Sequence, residues 1–287
     1  PSIVRTLPSY YSIQITSGCL QACSYCPYPV VAGDVMSLDA GMPLEDFGII
    51  LEKIKAYSGE AVISLSLWGE PSRHSQISDL VRAIRLTHDF TLVMETSGLG
   101  WSNELLKEIA AIDNQAIAAV KRIDPLVPEG KGIYWIASLD AQNPEIYKTL
   151  RGEGFDCARE TVLTLETLFP GRVFVQAVRM KENEDDLEQF YRHWEKQKTG
   201  LVIQKYDHFC HFLPERKVTD LSPLQREPCL HIRRDIQILL DGTVPLCRED
   251  LNREYVLGNI LDESLETIWE RGGEFYNWYR SRGARLC

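Results

Sequence analysis

Between Thr16 and Pro29 the chain reads TSGCLQACSYCPYP, with Cys19, Cys23 and Cys26 spaced Cys-x3-Cys-x2-Cys inside eight residues. Three thiols on one loop are soft ligands suited to zinc or to iron–sulfur chemistry. A structural zinc site closes with four ligands. His74, His88 or Asp34 would have to supply the fourth, and none lies at zinc-finger spacing. A cubane iron–sulfur cluster held through three of its irons leaves the fourth iron open. An open iron is a place where a substrate or cofactor binds.

The remaining cysteines are Cys157, Cys210, Cys229, Cys247 and Cys287. An even total of eight would suit disulfides, but disulfides concentrate in small secreted domains. In a chain of 287 residues, 44% hydrophobic and 25% charged, tight cysteine spacing points to metal or redox chemistry. Cys157 reads as a small buried hydrophobe, and Cys210 as a buried thiol, with a metal ligand as its alternative. The net charge of −10 argues against a nucleic-acid partner, although basic stretches occur at Arg233–Arg234 and over 271–285. No apolar run is long enough to span a membrane, so no membrane partner is expected. No basic-then-apolar leader opens the chain, which points to the cytoplasm. The first residue is Pro1 and not Met, which reads as a piece of a longer protein.

The elements that must position these residues alternate. Strands are expected at Tyr11–Cys19 (running into a Ser-Gly loop), Ala61–Leu67, Phe90–Gly98, Gly132–Asp140, Arg172–Met180 and Leu201–Tyr206. Helices are expected at Pro43–Tyr57, Ser75–Leu86, from an N-cap at Ser102, at Asp156–Leu168 and at Asn183–Gln197. Such alternation predicts an α/β fold with a parallel sheet, right-handed crossovers and ligands that gather in the loops after the strands. The cysteines, WGEPSRH, ETSG, SLDAQ and RMKEN all fall on those loops. Beyond Tyr206 the pattern breaks. The core is therefore expected over 1–207 and a smaller domain over 208–287. That domain would hold a hairpin in RDIQILLDGTVPLC, its Asp-Gly turn using Gly242 at positive φ, and a short helix capped by Asp262 and ended by Gly272.

The cysteine spacing, with Tyr25 before the last cysteine and the whole after a first strand, resembles the radical S-adenosylmethionine (radical SAM) superfamily. The resemblance spans nearly all of residues 11–207 and implies that the α/β core is a partial (β/α)6 TIM-type barrel. It implies a [4Fe-4S] cluster on Cys19, Cys23 and Cys26 whose open iron binds S-adenosylmethionine. One electron then cleaves this cofactor to a 5′-deoxyadenosyl radical that abstracts hydrogen. The stretch WGEP resembles the family's Gly-Gly-Glu-Pro motif, with Trp68 in place of the first Gly and Gly69, Glu70 and Pro71 matching. Glu70 would accept the methionine ammonium. The resemblance further implies cofactor contacts from Thr96, Ser97, Ser138 and Arg151, and from Arg179 to the methionine carboxylate.

Cys229, Gly242 and Cys247, followed by VLGNILDESLETIW, resemble the opening of the SPASM domain, which carries auxiliary iron–sulfur clusters. Cys287 would begin its next cysteine group, so the domain reads as truncated. YDHFCHFLPERKVTDLSP resembles the spiro-SPASM subgroup. The resemblance departs after Cys247, where sulfatase-maturing members carry a catalytic Asp. Arg248 stands there, with Glu249 beyond it. That weighs against a Ser/Cys oxidase dependent on such a base. The expected function is a radical SAM enzyme, an oxidoreductase or modifying enzyme acting on a peptide or protein. Its partner would be an electron donor such as a flavodoxin or ferredoxin. A small-molecule or sugar dehydrogenase and a non-catalytic iron–sulfur or zinc-binding module remain alternatives.

Overall fold

The computed structural model describes residues 7–33, 40–123, 131–219 and 229–282. Seven strands form one sheet: β1 (Tyr10–Ile13), β2 (Ala61–Ser64), β3 (Phe90–Thr96), β4 (Ile133–Ser138), β5 (Val173–Arg179), β6 (Gly200–Lys205) and β7 (Asp235–Ile238). They pair in parallel in the order β6-β5-β4-β3-β2-β1-β7. Successive parallel neighbours require crossovers of one hand, so the connecting helices share a face of the sheet. The helices between the strands are α1 (Tyr28–Ala32), α2 (Leu44–Ser58), α3 (Ile77–Leu86), α4 (Asn103–Ile123), α5 (Pro144–Arg151), α6 (Phe155–Leu168) and α7 (Leu187–Gln197), of which α2, α3, α6 and α7 pack on the strands.

The core lies between the two layers. Along β3, Phe90, Leu92 and Met94 are buried while Thr91, Val93 and Glu95 face the other side. Helix α2 buries Phe47, Ile50, Leu51 and Ile54, the face its periodicity predicts. Ser102 caps α4 by accepting a bond from the Leu105 N–H at 3.1 Å. Among the described residues, no helix is long and apolar enough to cross a membrane.

Several elements differ from the sequence expectation. Helix α5 was not expected; Asn143 caps it by accepting from the Glu145 N–H at 2.8 Å, and Pro144 fills its first turn. Helix α7 begins at Leu187 and not at Asn183. The Asn183 side chain is used instead to bond the carbonyls of Asp140 and Val178, at 2.7 and 2.9 Å. Cys157 is exposed, because α6 buries Phe155, Ala158, Val162 and Leu165 on its opposite face.

The expected hairpin divides. Its first arm is β7, which pairs in parallel with β1 and buries all four residues, covering an edge whose backbone groups would otherwise be unpaired. After α8 (Leu230–Arg234) and β7, the second arm is β8 (Thr243–Pro245). It forms the antiparallel pair with β9 (Val256–Asn259) instead. Gly242 has φ +80, and a Cβ there would lie 2.6 Å from the Asn259 Oδ1. The last helix, α9 (Leu265–Arg282), runs through Gly272, and Ser264 caps it by accepting from the Thr267 N–H at 3.1 Å.

At the amino ends of the strands, Asp113 of α4 sits fully buried between Arg85 at 2.8 Å and Arg172 at 2.5 Å. Arg85 also donates to the carbonyls of Phe90 and Lys131, both at 3.1 Å, so one carboxylate ties the starts of three strands together. Removing one partner of a buried ion pair leaves an uncompensated charge, at a cost of about 3–5 kcal/mol. Asp113→Asn is expected to lower unfolding free energy by roughly that amount in denaturant titrations. An unchanged midpoint would show that the triad contributes little.

Candidate functional site

The opposite, carboxyl ends of the strands carry a cavity of about 170 Å³. It is lined by Cys19, Cys23, Tyr25, Cys26, Gly69, Glu70, Thr96, Ser97, Ser138 and Arg151, ten of the residues picked out by sequence. They arrive from the loops after β1, β2, β3 and β4 and from the end of α5. Parallel strands send all these loops to one end, which is why residues far apart in sequence meet here.

The loops after β1 and β2 touch at Gly69. Its φ is +82, and a Cβ would lie 2.4 Å from the Thr16 carbonyl oxygen, so only glycine permits the approach. The Glu70 N–H then donates to the Gly18 carbonyl at 2.7 Å. Pro71 is buried and starts a short 3-10 turn through Arg73 that carries the chain away. Trp68 stacks on Tyr28 with ring centres 5.7 Å apart and planes 5° from parallel. Its other neighbour is Phe209, at 5.9 Å. The residue that departs from the family motif is therefore packed between the cysteine loop and the chain beyond β6.

Glu70 is 2% exposed. Its Oε1 accepts from the Thr96 hydroxyl at 2.6 Å, and its Oε2 from the Ser97 N–H at 2.7 Å. Both partners are neutral donors. Burial raises the Glu70 carboxyl above the ordinary carboxylate range, with these bonds acting the other way. Thr96 Oγ1 also accepts from the Gly98 N–H at 2.9 Å and the Trp101 indole at 2.8 Å, so it orients Glu70 from a fixed position. Ser138 accepts from Gln176 at 3.4 Å.

The three thiols share this cavity without converging. Among the described residues no three His, Cys, Asp or Glu side chains are grouped to hold one ion. In a cubane each thiolate binds a different iron, so thiols spread around a cavity fit a cluster better than a single zinc ion. Burial pushes the Cys19 thiol up to about 11 and the Cys26 thiol up to about 12. Metal binding must therefore displace protons from both.

Arg179 stands apart. It is bound to Glu184 by two bonds of 2.8 and 2.5 Å, is partly exposed, and is not among the residues lining the cavity. Gln21, Ser66, Glu95 and Asp140 were missed. The first three line the cavity, and Asp140 anchors Arg151 at 2.7 Å. Glu95 had a visible signal, an acid within the apolar strand FTLVMET, and burial raises its carboxyl too. Asp140 stood inside the quoted SLDA. Gln21 carried no signal of its own.

A second cavity, of about 470 Å³, is lined by Cys210, Cys229 and Cys247, together with Phe209, His211, Phe212, Glu249 and Tyr255. Cys210 is exposed, against the expectation of a buried thiol. The fragment Phe209–His211 runs through three positive φ values of 49°, 51° and 69°, which turns it sharply toward this cavity. Cys287 lies outside the described residues. None of the seven described cysteines is in a disulfide. Arg248 bonds Asp207 at 2.7 Å and lies 5.5 Å over the Phe209 ring. Burial, then a hydrogen bond with Asp207, pushes Glu249 up to about 8, so that pair holds one proton near neutrality.

The radical SAM superfamily model matches residues 13–193, and that of the SPASM iron–sulfur cluster-binding domain matches residues 229–287. An uncharacterized protein of Treponema pallidum (strain Nichols) is 35% identical over 281 residues, covering 95% of this chain and 75% of that protein. Solved structures share the fold at low identity. Streptococcus suis SuiB bound to precursor peptide SuiA gives a TM-score of 0.71 at 15% identity, over 96% of this chain and 67% of that one. For anSMEcpe with AdoMet and Cp18Cys peptide the TM-score is 0.67 at 14% identity, over 93% and 82%. For BtrN in complex with AdoMet and 2-DOIA it is 0.58 at 16%, over 98% and 91%. The chain belongs to the radical SAM superfamily and carries a SPASM domain, so its cofactors are a [4Fe-4S] cluster, S-adenosylmethionine and auxiliary iron–sulfur.

Proposed function

We propose that the protein is a radical SAM enzyme that abstracts hydrogen from a peptide or protein, with a core over 1–207 and an auxiliary domain over 208–287. The observation that carries this reading is the buried Glu70 carboxylate, held by neutral donors in the same cavity as three thiols. A buried carboxylate without a cation is costly, and a ligand ammonium would offset that cost. A cluster bound there would supply, when reduced, the electron for cleavage of S-adenosylmethionine to the 5′-deoxyadenosyl radical. Cys19, Cys23 and Cys26 would hold the cluster, and Glu70 the methionine ammonium. Ser97 and Ser138 line the cavity and would contact the rest of the cofactor, and Thr96 keeps Glu70 in place. Cys229 and Cys247 would hold auxiliary iron–sulfur with Cys287. A flavodoxin or ferredoxin in the cytoplasm would supply electrons.

Two observations support a peptide over a small molecule. The second cavity is the larger, and the aromatic side chains of Phe209, Phe212 and Tyr255 line it. SuiB and anSMEcpe have been solved with peptides. The alternative, a small-molecule dehydrogenase, is supported by the likeness to BtrN solved with 2-DOIA.

Anaerobic reconstitution with iron and sulfide, followed by a strong reductant and S-adenosylmethionine, is expected to yield 5′-deoxyadenosine. A protein that holds zinc alone, or holds iron and yields none, would sink the enzyme reading. Deuterium transfer into 5′-deoxyadenosine from labelled peptides and not from sugars selects the peptide reading; the reverse selects the alternative. Cys19→Ala is expected to abolish cleavage. Cys229→Ala should lose iron elsewhere and keep cleavage.

Glu70→Gln removes a charge-assisted bond, so the Kd for S-adenosylmethionine is expected to rise roughly 10- to 100-fold. Because burial raises this carboxyl, wild-type affinity should fall as pH drops through its elevated pKa. The Gln variant should lose that dependence. Calorimetric titrations across pH read both effects, and a wild-type profile matched by the variant would remove Glu70 from the role.

A further inference from the structure

We propose that Asp140, Arg151, Gln21 and Tyr25 form a buried latch that locks the Cys19–Cys26 loop onto the carboxyl ends of β4 and β5, with Asp140 as its positioning residue. The inference rests on reading that loop as the cluster-holding loop. It differs from the cofactor contact that the family resemblance implies for Arg151.

The geometry is dense. Asp140 is fully buried and Arg151 is 5% exposed. Arg151 Nη1 donates to Asp140 Oδ2 at 2.7 Å and to the Tyr25 hydroxyl, which in turn donates to the same Asp140 oxygen. Arg151 Nε and Nη2 both donate to Gln21 Oε1, at 3.1 and 2.8 Å. Gln21 Nε2 donates onward to the Tyr147 hydroxyl at 2.8 Å. Two residues that lie between the cysteines, Gln21 and Tyr25, are thus held by one guanidinium. The backbone adds a third hold, from the Ser24 N–H to the Leu150 carbonyl at 2.8 Å.

Asp140 is itself over-determined. Its Oδ1 accepts from the Val178 N–H at 2.7 Å, which joins it to β5. Its backbone sits at φ +64, an unfavourable region for a residue other than glycine. The Asn183 side chain holds its carbonyl at 2.7 Å, so the strained position is fixed from outside. A buried ion pair of this kind adds little stability over well-packed apolar residues. What it adds is direction: one guanidinium, anchored on Asp140, donates to both Gln21 and Tyr25 of the cysteine loop. That loop has no regular structure over Cys19–Cys26, so without the latch its conformational freedom would work against a cluster that needs three thiolates at fixed places.

The test uses the whole chain, reconstituted anaerobically with iron and sulfide, as wild type, Asp140→Asn and Tyr25→Phe. Three quantities are read: iron per polypeptide, the rate of iron release to a chelator, and the electron paramagnetic resonance g-values of the reduced cluster. Thermal melts of the metal-free proteins report folding separately. The expected result is iron release roughly tenfold faster in both variants, with shifted g-values. Tyr25→Phe removes only a hydroxyl, so it decides the matter if Asp140→Asn fails to fold. Wild-type release rates and g-values in Tyr25→Phe, or in a folded Asp140→Asn, overturn the latch. A wild-type protein that binds no iron overturns the function proposed above instead.

Discussion

A carboxylate taken out of water must be matched, and Glu70 is matched by neutral donors, among them the Thr96 hydroxyl and the Ser97 amide. The rest of the site is arranged around that constraint. Gly69 lets the β2 loop press against Thr16, which brings Glu70 to the cysteine loop. The end of β3 supplies both donors, from Thr96 and Ser97. A site that stabilised Glu70 fully would have little to gain from an ammonium ligand. One that left it wholly unsupported would protonate it. Hydrogen bonds from neutral donors hold it between those outcomes.

The two ends of the sheet treat buried charge differently. At the amino ends, Asp113 is bracketed by two arginines, so its charge is spent on joining strands. At the carboxyl ends, the Asp140–Arg151 pair reaches through Gln21 and Tyr25 to a loop that would otherwise be loose. Parallel sheets favour this division, because their loops after the strands are free to vary while the strand starts are buried under helices.

The chain beyond β6 is not a separate layer. β7 extends the main sheet beside β1, and Trp68 packs between Tyr28 and Phe209. The cysteine loop, the Trp-Gly-Glu-Pro loop and the segment near Cys210 are therefore mechanically connected. Arg248, over the Phe209 ring and bonded to Asp207, continues that contact to the residue after Cys247. The substitution of Trp for a small residue in the motif thus has a packing consequence: it joins the first cavity to the walls of the second.

By itself the sequence determined the six strands β1 to β6, the helices between them other than α1 and α5, and the identity of the cysteine loop. It also determined which loops would meet, since period and spacing are local properties and parallel crossovers have one hand. The three cysteines stood out by their spacing, and the other seven lining residues were named through the family resemblance on those loops. Tertiary structure decided the partners. Arg179 is taken by Glu184 next to it, while Arg151, with a similar prospect in sequence, is drawn inward to Asp140 eleven residues away. Asp140 and Gln21 matter through contacts that no local pattern encodes. The arm of the supposed hairpin became β7 because β1 offered an unpaired edge, and an edge is a property of the assembled sheet and not of any segment within it.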